Sequence, residues 1–89
     1  MGIVYRAQGK LKEALEHYQK ALDIDREIGY KEGVASDLCN MGNVYQIQGK
    51  PKKALDHFKE ALEIYKTLED STNIKKINKI INELKNEAS

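Results

Sequence analysis

A gapless internal repeat with a period of 40 residues constrains this chain more than any other feature. MGIVYRAQGKLKEALEHYQKALDI (1–24) recurs as MGNVYQIQGKPKKALDHFKEALEI (41–64), with 14 of 24 positions identical. A fixed period between about 20 and 50 residues marks a solenoid, in which each supersecondary unit packs only on its neighbours. Such a repeat speaks first to architecture. It points to a surface that binds something and leaves the partner unnamed.

The units read as helical. Ala, Leu, Glu, Lys and Gln dominate, proline occurs once, and strand alternation is absent. Residues 1–8 read as a short helix ended by Gly9 in a left-handed cap. Leu11, Ala14, Leu15, Tyr18, Ala21, Leu22, Ile24 and Ile28 then form an apolar stripe over 11–28. Gly29 and Gly33 bracket a break around Tyr30-Lys31. The third helix covers 32–48, with Val34, Leu38, Met41, Val44 and Tyr45 inward, and Gly49 closes it. Pro51 suits the first turn of a helix over 51–68, since its missing N–H has no partner there anyway. Ala54, Leu55, Phe58, Ala61, Leu62 and Tyr65 form its buried face. Asp70 or Ser71 offers a cap oxygen for a last helix over 72–87, buried through Ile74, Ile77, Ile80, Ile81 and Leu84. Five helices with short connections force antiparallel neighbours. The expected fold is all-α, one domain over 1–89. It divides into an N-terminally truncated unit (1–30), a complete unit (31–70) and a capping helix (71–89).

Charge and composition remove whole classes of function. Fifteen basic residues against 14 acidic ones leave a net +1, which gives no electrostatic case for nucleic acid or an anionic membrane. No apolar run approaches the ~18 residues of a membrane span. Arg6 and Lys10 interrupt what would be the apolar stretch of a signal peptide. A single cysteine, Cys39, cannot form an internal disulfide, which suits a reducing, cytoplasmic setting.

Small residues recur at fixed places. Gly2 and Gly42 lie inside helices, where glycine costs about 1 kcal/mol relative to alanine. A cost taken twice in the same register indicates close helix approach. Ala14/Ala54 and Ala21/Ala61 repeat on the following helices, and Tyr5 with Tyr18, like Tyr45 with Phe58, fills the space beside them. The sets Gly2/Tyr5/Gly9/Ala14/Tyr18/Ala21 and Gly42/Tyr45/Gly49/Ala54/Phe58/Ala61 resemble the tetratricopeptide repeat (TPR) signature, and the match covers 1–68. The period of 40, rather than the commoner 34, resembles the longer-helix subgroup of Pins/LGN-like mitotic scaffolds and of archaeal and bacterial TPR arrays. The junction REIGYKEGVASDLCNMGNVY is similar to that subgroup. The proline usual near the end of the second helix is replaced here by Arg26 and Lys66.

The resemblance implies helical hairpins stacked as a short right-handed superhelix, and a non-enzymatic module that binds a protein or peptide in a concave groove. The first helix of each unit would line that groove. The implied positions are Ile3, Arg6 and Ala7, then Ser36, Cys39, Asn43, Gln46 and Ile47, then Lys76, Lys79 and Glu83 on the last helix. The residue types suit the task independently. Asn and Gln amides match an extended peptide backbone, and Arg6, Lys76 and Lys79 can hold carboxylates. Of the Lys/Asn/Lys/Arg set with which some TPR domains clamp a C-terminal carboxylate, only Asn40 or Asn43 with Lys76 is present.

Other chemistry is not expected. His17 and His57 occupy equivalent repeat positions on the order of 10 Å apart, whereas two zinc ligands need ~2 Å bonds to one ion. Cys39 has no neighbouring histidine or second cysteine to activate it. The lysine runs at 50–53 and 75–79 read as solvated faces. No cofactor, metal, nucleic-acid or membrane partner is expected, and no enzymatic activity.

Solenoids generally need about three repeats to bury a continuous core. Unit one leaves an apolar face without a neighbour. Two expectations follow: either the chain is the C-terminal piece of a longer array, or it is a structural unit that self-associates, two copies stacking their N-terminal faces or exchanging helices.

Overall fold

The computed structural model describes the backbone of residues 2–88 and the side chains of residues 9–86. Four helices follow one another: α1 (Gly2–Ile28), α2 (Lys31–Ile47), α3 (Pro51–Thr67) and α4 (Ser71–Ala88). Each packs on its neighbour in chain order, α1 on α2, α2 on α3 and α3 on α4. The smallest dimension, 18 Å, accommodates two layers of helices at spacings of about 8–10 Å.

Three turns join the helices, and all three are built alike. The chain enters the left-handed region at Gly29 (φ 75°), Gly49 (φ 74°) and Glu69 (φ 56°). At each, the next residue's N–H bonds five positions back: Tyr30 to Asp25 (2.8 Å), Lys50 to Tyr45 (2.9 Å) and Asp70 to Tyr65 (3.0 Å). The turn residue's own N–H reaches back three: Gly29 to Arg26, Gly49 to Gln46, Glu69 to Lys66. This double closure satisfies carbonyls that a helix end leaves orphaned. Asp70 then caps α4, its Oδ1 accepting from the Asn73 N–H at 3.2 Å, so Ser71 is the first helical residue rather than the cap.

The expected break at Gly9 does not form. Over residues 2–28 the two expected segments are one helix of 27 residues, about 40 Å long at 1.5 Å per residue, so the described residues form four helices, not five. The two repeat copies differ at one decisive place: Gly9-Lys10-Leu11 stands where unit two has Gly49-Lys50-Pro51. A continuous helix through Pro51 would lose the bond to the Ile47 carbonyl and clash with it, at a cost of about 3 kcal/mol or more. Proline also drives Lys50 out of helical geometry, and Lys50 has φ −116° and ψ 70°. Leu11 imposes neither penalty, and a helical Gly9 costs only about 1 kcal/mol. Gly33 likewise lies inside α2 rather than at its edge. A Cβ there would meet Asp25 Oδ2 at 2.5 Å and Tyr30 Cδ2 at 2.6 Å, so glycine lets α2 close against the end of α1.

The core is carried by α2, α3 and α4. Leu38, Phe58 and Leu84 are its largest fully buried side chains, and Ala35, Ala54 and Ala61 are wholly enclosed. Ile77 and Ile81 complete it from α4. Gly42 brings α2 onto α3: a Cβ there would lie 2.8 Å from Phe58 Cε2. Among the described side chains of α1, only Leu22 is buried. The rest of its described apolar stripe is less enclosed than the periodicity predicts, although Leu15 and Tyr18 pack against the core. Ala14, Leu15, Tyr18 and Ala21 are half-buried, and Ile24 and Ile28 are 57% and 69% exposed. An Arg26–Glu60 ion pair at 3.0 Å ties α1 to α3 across the stack.

Candidate functional site

Stacking α2 and α4 side by side on α3 leaves a cavity of about 230 Å³ between them. Phe58 and Tyr65 of α3 lie at its base, and Ile77 and Ile80 form the apolar part of the α4 wall. Ser36, Cys39, Asn40 and Asn43 come from α2, and Asn73 and Lys76 from α4. Residues three and four apart share a helix face, which is why 36, 39/40 and 43 converge with 73, 76/77 and 80.

Four of the groove positions implied by the family resemblance therefore come together: Ser36, Cys39, Asn43 and Lys76. The others do not. Gln46, Lys79 and Glu83 are exposed and line no part of this cavity. Ile47, 69% exposed, belongs to a separate depression at the other end of α2, where Leu11, Leu15 and Tyr45 are rimmed by Lys12, Lys50 and Lys53. The side chains of Ile3, Arg6 and Ala7, like those of Gly2 and Tyr5, lie outside the described residues. Sequence reasoning missed Asn73 and Ile80 as wall residues, and the floor residues as part of a site. The signal was present in the three-residue spacing from Asn73 to Lys76 on a helix already expected.

The polar groups are differently committed. Asn73 Nδ2 donates to Asp70 Oδ2 at 2.7 Å, which leaves its carbonyl oxygen as an acceptor. Asn40 and Asn43 have no hydrogen-bond partner among the described residues, so each amide keeps two donors and an acceptor for another molecule. Burial pushes the Cys39 thiol up to about 11, against smaller lowering effects of a Tyr65 hydrogen bond and the Lys76 charge. Burial also raises Tyr65, helped by the neighbouring Cys39 and Asp70. Both groups are protonated at neutral pH, so the site offers hydrogen bonds, one ammonium and an apolar floor. It offers no nucleophile, because a thiol reacts through its thiolate.

The remaining candidates are structural. His57 Nδ1 donates to the Lys53 carbonyl at 2.8 Å, and its ring lies 4.9 Å from that of Tyr45. His17 is exposed. Among the described residues no three His, Cys, Asp or Glu are grouped to hold a metal ion, and no helix is long and apolar enough to cross a membrane.

The tetratricopeptide repeat family model matches residues 1–67. A designed protein, DA05, whose solution NMR structure is known, superposes with a TM-score of 0.82 at 22% identity; the match covers 90% of this chain and 80% of that one. At that identity the likeness concerns the fold. No curated protein matches the chain.

Proposed function

Because this chain belongs to the tetratricopeptide repeat family, whose repeats are generally protein-interaction modules, we propose that the groove between α2 and α4 binds a peptide or helix of another protein. The carrying observation is the pair of uncommitted amides, Asn40 and Asn43, set beside Lys76 over an apolar floor. Amides match a peptide backbone, Lys76 suits an acidic side chain or terminus, and Phe58 with Tyr65 suits an apolar anchor. A cavity of 230 Å³ takes one or two side chains, so the rest of the ligand would run along the groove. The module is non-enzymatic and uses no cofactor. Its 40-residue period supports the longer-helix subgroup, in which continued stacking gives a right-handed superhelix. A cytoplasmic setting belongs to the same reading.

Peptides selected from a displayed library against the full chain test this. Backbone amide shifts should move within 36–43 and 73–80, and N40A/N43A/K76A should lose binding with its helical content intact. Shifts confined to α1 would sink the proposal.

A second reading, association with another copy, is favoured by one observation. Ala14, Tyr18 and Ala21 are half-buried, whereas their repeat equivalents Ala54, Phe58 and Ala61 are at most 1% exposed.

A further inference from the structure

We propose that α1 is one arm of an exchanged pair, in which residues 1–8 of each copy seat on the Ala14/Tyr18 face of a second copy of this chain. This rests on the self-association reading and adds to it the exchanged element and its register.

The turns set the argument. Closures at 29, 49 and 69 recur every 20 residues, and Gly9 is the next position in that series. Its Gly-Lys pair is identical to Gly49-Lys50. Nevertheless α1 runs straight through it, because Leu11 rather than proline follows. A hinge that is straight in one setting and turned in its repeat is the element that exchange requires.

The occupant is identified by the repeat itself. MGIVYRAQ matches MGNVYQIQ at five of eight positions, and in that second copy, 41–48, Gly42 lies against Phe58, which is buried along with Ala54. The face presented by Ala14 and Tyr18 is thus the counterpart of one already seen filled, and 1–8 carries the sequence that fills it. In a straight helix of 27 residues this segment points away from its own Ala14 and Tyr18. A second copy can supply it.

The register follows. Gly42 lies against Phe58, so the equivalent contact sets Gly2 against Tyr18 of the second copy and places the two-fold axis at Lys10. The interface is isologous, each copy giving and receiving the same segment.

Light scattering on the full chain should give about twice the 10.2 kDa chain mass in the upper micromolar range, falling on dilution. L11P recreates Gly49-Lys50-Pro51 in unit one. It should give the single-chain mass with a thermal midpoint no lower than the parent's. A parent at single-chain mass throughout overturns self-association and this proposal together. A dimer in both parent and L11P leaves self-association standing and overturns exchange. Should L11P fail to fold, K10C in a C39S background decides. A short bismaleimide should link most of it into covalent dimer, and a yield no higher than that of a K85C control overturns the proposal.

Discussion

Gly42 lies flush on the ring of Phe58: a Cβ at position 42 would stand 2.8, 2.9 and 3.0 Å from its Cε2, Cζ and Cδ2. Phe58 is 1% exposed and belongs to the core cluster, so the ring cannot retreat without displacing core side chains. Two effects compete in Gly42→Ala. Helix propensity favours alanine by about 1 kcal/mol, and overpacking a filled core costs about 1–3 kcal/mol. Overpacking wins, and urea unfolding should show a net loss of up to about 2 kcal/mol. A stabilised variant would mean that the approach of α2 to α3 is looser than these contacts.

Glu69 holds a positive φ of 56° at the turn position where Gly29 and Gly49 stand. A left-handed conformation costs an ordinary residue roughly 1–2 kcal/mol. Part of any gain from glycine is returned through the greater freedom of the unfolded chain. Glu69→Gly should raise stability by about 0.5–1 kcal/mol, read as a higher denaturation midpoint with an unchanged slope. A lowered midpoint would show that Glu69 makes a contact worth more than the strain.

The elements from Glu32 onward were legible because periodicity, capping and proline agree there. Pro51 fixes a helix start, Asp70 caps the next, and Val34 with Leu38, Phe58, and Leu84 each fall by spacing on the buried face of their own helix. The error at Gly9 has a physical reason. Glycine permits a left-handed turn but does not compel one, and only Leu11 against Pro51 distinguishes the two copies. The site was half legible. The family resemblance put Ser36, Cys39, Asn43 and Lys76 along one groove, but which other residues of α4 oppose α2 depends on how α4 sits over α3. Commitment of polar groups, such as Asn73 to Asp70, depends on where side chains settle and is not written in the spacing.

Cys39 should be a slow thiol. Its ionisation is pushed from 9.0 to about 11, chiefly by burial, which at a given alkaline pH reduces the thiolate about a hundredfold. The higher basicity of the thiolate returns part of that, with a Brønsted coefficient of about 0.4–0.5. Iodoacetamide at pH 8 should therefore react at least tenfold more slowly than with glutathione. Urea should abolish the difference. Equal rates in the folded chain would place the thiol in water rather than beside Tyr65.

Asp37 carries the clearest pH signal. It is 8% exposed, its Oδ2 has no donor, and it faces Asp25 across the α1–α2 contact. Burial first, then the hydrogen bond and charge of Asp25, raise it from 3.8 to about 6. Between those values the folded chain binds more protons than the unfolded one, so this group's contribution to stability falls as pH rises through the window. It is fully present below about 3.8, where a proton shared between the carboxyls satisfies both, and lost above about 6. Two units correspond to roughly 3 kcal/mol. Asp37→Asn supplies an N–H donor to Asp25 at every pH. The variant should melt near the parent at pH 4 and be more stable by about 2–3 kcal/mol at pH 7.5. An offset of the same size at both pH values would show that the two carboxyls do not share a proton in the folded chain.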